Sequence, residues 1–121
     1  MLISIPDCKP ITRIPHRADF EAWKRGLSAA QYDAICDEIT HRIEGHEVNT
    51  AGWIPGNNWE DTPFQAIYEL ACGFDQDASA RFFGLIVWDV LMRHPQTWSF
   101  GRYEKDGVPI QSMTYFRVDI R

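Results

Sequence analysis

His41 and His46, with Glu38, Glu44 and Glu47 close by, come nearest to a metal-binding set in this chain. Ligand pairs on a helix must project from one face, and a catalytic metal needs about three ligands converging in a pocket. Glu38 and His41 share a face, but His46 follows Gly45, where the helix is expected to stop. The set therefore reads as surface histidines among carboxylates, and no metal or other cofactor is implied. Glu60 and Asp61 are candidates for a general acid and base. Asp61, however, directly precedes Thr62-Pro63, a helix start at which an acid complements the macrodipole. His94 stands at the expected C-terminus of another helix, where a cationic imidazole is favourable, and the sequence supplies no partner that would make it a catalytic base. Phosphate-binding loops, dinucleotide fingerprints, zinc-protease motifs and nucleophile elbows do not occur.

Two other groups suit binding rather than catalysis. The stretch from Gly52 to Trp59 brackets Ile54-Pro55-Gly56-Asn57-Asn58 between Trp53 and Trp59. Tryptophans offer rigid apolar area with one N–H donor, and they are enriched where proteins bind partners. The competing structural expectation is that both rings cover the core. The second group is acidic: Asp33, Asp37 and Glu44 recur at i, i+4 and i+11, with Glu38 beside them and Glu47 and Glu60 following. From Asp33 to Asp77 ten acids face one base, Arg42, a net −9, while the flanks carry eleven bases and seven acids. Such a block argues against gripping a phosphate backbone and for a partner of opposite charge. The basic arm (Lys9, Arg13, Arg17, Lys24, Arg25) is diluted by Asp7, Asp19 and Glu21, so direct nucleic-acid binding is disfavoured.

These residues must be held by a core. At 121 residues, 45% hydrophobic and 24% charged, with five Trp and seven Phe, the composition is that of one globular domain spanning 1–121. Cys8, Cys36 and Cys72 are odd in number and widely spaced, which fits reduced thiols in a cytoplasmic protein rather than a disulfide framework. The N-terminus lacks a signal-peptide pattern. The longest apolar run, 82–92, contains Gly84 and Asp89 and falls short of a membrane span.

Phe20, Trp23 and Leu27 predict a first helix from Arg17, stopping near Gly26. Ser28-Ala-Ala-Gln31 is a capping box, followed by the apolar stripe Tyr32, Ile35, Cys36, Ile39 and Ile43. Residues 46–61 show no periodicity. Thr62, Pro63 and Gln65 predict a second capping box ahead of the stripe Phe64, Ile67, Tyr68, Ala71 and Cys72. Asp75 or Asp77 starts a fourth helix, apolar on nearly all sides and therefore central, ending at His94 before Pro95. Asp106-Gly107 between two β-prone runs predicts a hairpin, in which Trp98 faces Tyr115, Phe100 faces Met113 and Tyr103 faces Ile110. Arg102, Glu104, Lys105 and Arg117 decorate it, and Leu2 to Ile5 offers a further strand.

The expected fold is α+β: four helices packed around the apolar fourth, closed by the C-terminal antiparallel hairpin. The expected function is a small acidic protein-binding module, an inhibitor or adaptor for a partner with a basic surface, such as a nucleic-acid-handling enzyme. Its binding residues would be Asp33, Asp37, Glu38, Glu44, Glu47, Trp53, Asn57, Asn58, Trp59, Glu60 and Arg102. The alternative is a small enzyme or ligand-binding protein with its pocket between the 49–61 loop and the hairpin.

Overall fold

The structure, a computed structural model, describes residues 1–5, 7–50, 54, 58–101, 104–105, 108–109 and 113–118. The architecture is α+β. In chain order it runs α1 (Arg17–Lys24), α2 (Ala29–Ile43), β1 (Val48–Thr50), a π-helical turn (Ile67–Ala71), α3 (Gln76–Arg93), β2 (Trp98–Gly101), β3 (Glu104–Lys105), β4 (Val108–Pro109) and β5 (Thr114–Arg117).

The helix signals act locally as the side-chain chemistry dictates. Ser28 Oγ accepts from the Gln31 N–H at 3.1 Å while Gln31 Oε1 accepts from the Ser28 N–H at 2.8 Å, so two orphan donors at the start of α2 are satisfied reciprocally. Asp75 accepts from the Ala78 N–H and starts α3, which ends at His94. Phe82, Phe83, Leu85, Ile86, Val87, Trp88, Val90 and Leu91 are all buried, and α1, α2 and the π-turn pack against this helix. Trp88 carries the core on to the sheet, meeting Phe100 and Tyr115 at ring distances of 4.6 and 6.5 Å. No helix among the described residues is long and apolar enough to cross a membrane.

A polar knot ties α2 to α3. The Tyr32 hydroxyl donates to Asp89 at 2.5 Å, and Arg93 grips the same carboxylate at 2.8 and 3.3 Å. Burial, reinforced by that hydrogen bond, raises the Tyr32 pKa. Cys36 lies beside Arg93, and burial pushes its thiol up as well, which keeps it protonated and unreactive.

Four expectations about the elements are corrected. The segment 46–61 contains β1, an edge strand antiparallel to β5, so the three-stranded sheet has the order β1-β5-β2. Leu2 and Ile3 contribute only single bridges, Leu2 to Trp98 and Ile3 to Pro10. The hairpin register is split: Lys105 pairs with Val108 and Glu104 with Pro109 as the turn demands, but Trp98 pairs with Arg117 and Phe100 with Tyr115, two residues out of step. Two residues separate β2 from β3 and four separate β4 from β5, and this excess produces the offset. An offset of two preserves faces, so Trp98, Phe100 and Tyr115 still share one side. Finally, the Thr62 capping box does not form. Thr62 Oγ donates back to the Trp59 carbonyl at 2.7 Å, Gln65 is drawn to Glu69 at 2.5 Å, and short i to i+3 bonds lead into the π-turn. The expected Tyr103–Ile110 pair and the Asp106-Gly107 turn lie outside the described residues.

Candidate functional site

The chain between Asn58 and Ala80 builds an open groove of about 420 Å³. One wall is Asn58, Trp59 and Glu60, another Gln65 and Tyr68 at the π-turn, and α3 contributes Gln76, Ser79 and Ala80. Asn58 Oδ1 accepts from the Glu60 N–H at 2.9 Å, a side-chain turn that shapes the first wall. Trp59 is half-buried: its ring packs on Phe64 and Phe83 at 6.2 and 5.8 Å, and its remaining surface lines the groove. The ring thus covers the core, one of the two roles expected of it, and leaves a face on the groove. Among the described residues its indole N–H has no acceptor.

The π-turn sets what stands beside the groove. The Cys72 N–H reaches back five residues to the Ile67 carbonyl, and the Phe74 N–H six residues to that of Tyr68. Such widened turns recur at functional sites. Ile67 stays in the core, while Leu70 is turned outward and 52% exposed. Gly73 and Phe74 follow with φ of +57° and +68°. An aromatic residue in that left-handed region is strained, at a cost of about 1–3 kcal/mol, and Asp61 at the other end of the segment is held at φ +58°. Phe74 is 64% exposed and meets Tyr68 edge-on at 5.3 Å. Tyr68 therefore joins the groove to the exposed Phe74 ring, and Leu70, four residues before it, is exposed as well.

The surroundings are acidic. Glu60, Asp61, Glu69, Asp75 and Asp77 lie within 58–81, where the one base is Arg81, itself paired with Asp77 at 2.9 Å. Arg42, the base inside the wider acidic block, is withdrawn into the structure. It pairs with Glu38 at 2.9 Å, donates to the Ile54 carbonyl at 3.1 Å and lies over the Phe64 ring at 4.9 Å. It thereby ties α2 to Ile54.

The expected binding residues are dispersed. Glu38 is taken by Arg42, Glu44 stands 4.0 Å from His41, and Glu47 pairs with Arg117 at 2.9 Å. Asp33 and Asp37 are exposed on α2 and, like Glu60, have no ion-pair partner among the described residues. Asn58, Trp59 and Glu60 come together in the groove. Trp53, Asn57 and Arg102 lie outside the described residues. The pocket expected between the 49–61 loop and the hairpin falls on residues that lie mostly outside the described ones; the concavity at Trp59 is walled by the π-turn and α3. Among the described residues no three His, Cys, Asp or Glu side chains converge as metal ligands. His94 is not the cationic helix terminus expected of it. Its Nδ1 accepts from the Gln96 N–H at 3.1 Å and from Trp98 Nε1 at 3.3 Å, and burial together with the nearby Met1 ammonium lowers its pKa. Tyr68, Leu70, Phe74 and Gln76 were missed. The available signal was an apolar residue off the helix stripe (Leu70) and an aromatic wedged between a helix-stopping Gly73 and a helix-capping Asp75. No protein-family model, curated protein or solved structure matches the chain.

Proposed function

We propose that this protein is a small acidic protein-binding module, an inhibitor or adaptor, whose partner presents a basic surface of the kind found on nucleic-acid-handling enzymes, in a cytoplasmic setting. The observation that carries the reading is the exposure of Leu70 and Phe74, Phe74 meeting Tyr68 of the groove edge-on, in a stretch of chain rich in carboxylates with little countercharge. Exposed large apolar side chains rimmed by charge mark interaction sites, and complementary charge speeds and selects the encounter. The odd number and wide spacing of Cys8, Cys36 and Cys72 support the reducing setting.

The test uses immobilised protein and host lysate. A specific partner is retained at about 50 mM salt and released at about 500 mM, as expected for charges screened over a few ångströms. A Leu70→Ser/Phe74→Ser variant, altered only at exposed positions, loses that partner. Asp33→Asn/Asp37→Asn reports whether the α2 face contributes. Retention that ignores salt and both sets of substitutions overturns the reading. The groove is also the observation favouring a second reading, a small-molecule-binding protein or enzyme. Thermal-shift screening of metabolites tests it, and a stabilisation abolished by Trp59→Ala but kept in Leu70→Ser/Phe74→Ser would favour it over the module.

A further inference from the structure

The groove itself has a chemical preference. Among the described residues its lining holds one carboxylate, Glu60, two aromatic side chains, Trp59 and Tyr68, and no base. Gln65 donates its amide N–H to Glu69, which leaves its carbonyl oxygen as a further acceptor. Aromatic faces attract cations, and an adjacent carboxylate adds to that attraction. We propose that the groove receives an arginine side chain of the protein partner, whose neighbouring apolar residues lie on Leu70 and Phe74. This deepens the protein-binding reading and rests on it.

Arginine fits better than lysine on three counts. Its guanidinium is planar and stacks on aromatic rings. It forks onto carboxylate and carbonyl acceptors together. It is also more weakly hydrated than an ammonium, so it loses less on entering a half-enclosed site. The molecule uses the same chemistry internally a short way off, where the Arg42 guanidinium lies over Phe64 while pairing with Glu38. A volume of about 420 Å³ lies within the usual range for sites that enclose a compact ligand, roughly 300–1,000 Å³. Charge complementarity selects this occupant over a neutral or acidic one, since Glu60 lines the groove and Glu69 and Asp75 adjoin Leu70 and Phe74 in the chain.

The experiment is an NMR titration of the ¹⁵N-labelled full chain with three short peptides. These are acetyl-Ala-Arg-Leu-Phe-amide and its lysine and citrulline counterparts, citrulline being the neutral isostere of arginine. The arginine peptide is expected to shift the Trp59 indole and Gln65 side-chain resonances, with a dissociation constant on the order of 1 mM. Citrulline in the peptide, or Glu60→Gln in the protein, weakens binding about fivefold or more, and lysine weakens it about threefold. Glu60 is exposed, so its variant keeps the wild-type spectrum away from the groove. Absence of shifts at about 10 mM, or equal affinity for arginine and citrulline peptides, overturns the inference. If the probes fail while Leu70→Ser/Phe74→Ser still abolishes partner retention, the arginine site is wrong and the protein-binding reading stands.

Discussion

Replacing Gly26 with alanine tests how the π-turn is supported. Gly26 closes α1, and a Cβ built there would stand 2.7 Å from the Leu70 carbonyl oxygen and 2.9 Å from the Ala71 Cα. Both are backbone atoms, so no rotamer change relieves the clash. Reaching an ordinary contact of 3.4 Å requires α1 and the π-turn to separate by about 0.5–0.7 Å. Forced packing shifts of this kind cost about 1–3 kcal/mol. The lost freedom of the unfolded chain returns about 0.4–1 kcal/mol. The expected net loss is about 1–2 kcal/mol, or a melting temperature lower by about 4–8 °C for a chain of this size. Gly84→Ala is the matched control: inside α3 with nothing within 4 Å of the added carbon, it is expected to stabilise by about 0.5–1 kcal/mol. Calorimetry and urea unfolding measure both. A Gly26→Ala protein that melts at or above the wild type would refute the close approach of α1 to the turn.

Tyr32→Phe is expected to cost about 1 kcal/mol, and Asp89→Ala about 2, since the latter orphans a buried hydroxyl and a guanidinium. In urea unfolding, the double variant should cost less than the sum by about 1 kcal/mol, and strict additivity would deny the bond. Arg42→Met removes the tie to Ile54 and should lower stability by about 1 kcal/mol while speeding amide exchange around Ile54 more than in α3; uniform exchange would contradict the tie. His94 has a folded pKa below its ordinary 6.5, so the unfolded chain binds the extra proton first. Its contribution is therefore complete above pH 6.5 and is lost as pH falls from 6.5 through the lowered folded value. A His94→Asn variant should show a flatter pH–stability profile there, and an unchanged slope would exclude His94 as the titrating group. Asn49 in β1 is buried with an amide nitrogen that has no partner among the described residues, so Asn49→Val should stabilise by about 1 kcal/mol in chemical denaturation. A destabilised variant would mean that the amide is satisfied.

Elements whose causes are local were legible in the sequence. The α2 capping box, the Asp75 cap and the His94–Pro95 stop each involve residues within one helical turn, and α3 announces its central place by being apolar all round. What was missed depends on partners distant in the chain. Three residues, Val48–Thr50, are too few to display a period, and they form a strand because β5 lies beside them. The π-turn arises where a helix must fit against the Gly26 backbone, which no residue between 62 and 72 discloses. The Asp-Gly turn specifies pairing only for its immediate neighbours, so the two-residue offset further along the hairpin was invisible. Within the candidate site, Trp59 was recognisable by type, but the π-turn wall and α3 residues facing it come from tertiary packing.

The bonding of the N-terminal arm has a consequence for synthesis. The Ile3 N–H donates to the Trp98 carbonyl at 2.9 Å, and Ser99 Oγ donates to the Ile3 carbonyl across 96 residues of sequence. At translation rates of about 5–20 residues per second, Ile3 waits roughly 5–20 s before its partner exists. In that interval Leu2 and Ile3, both fully buried in the folded protein, have only their backbone pairing with Pro10 and Ile11, while α1 and α2 already have each other's sequence in hand. The nascent chain thus carries an apolar segment, Leu2 and Ile3, that is covered only once Trp98 and Ser99 have been made. Chaperone contact during translation should fall on residues 2–5 and cease once β2 has emerged.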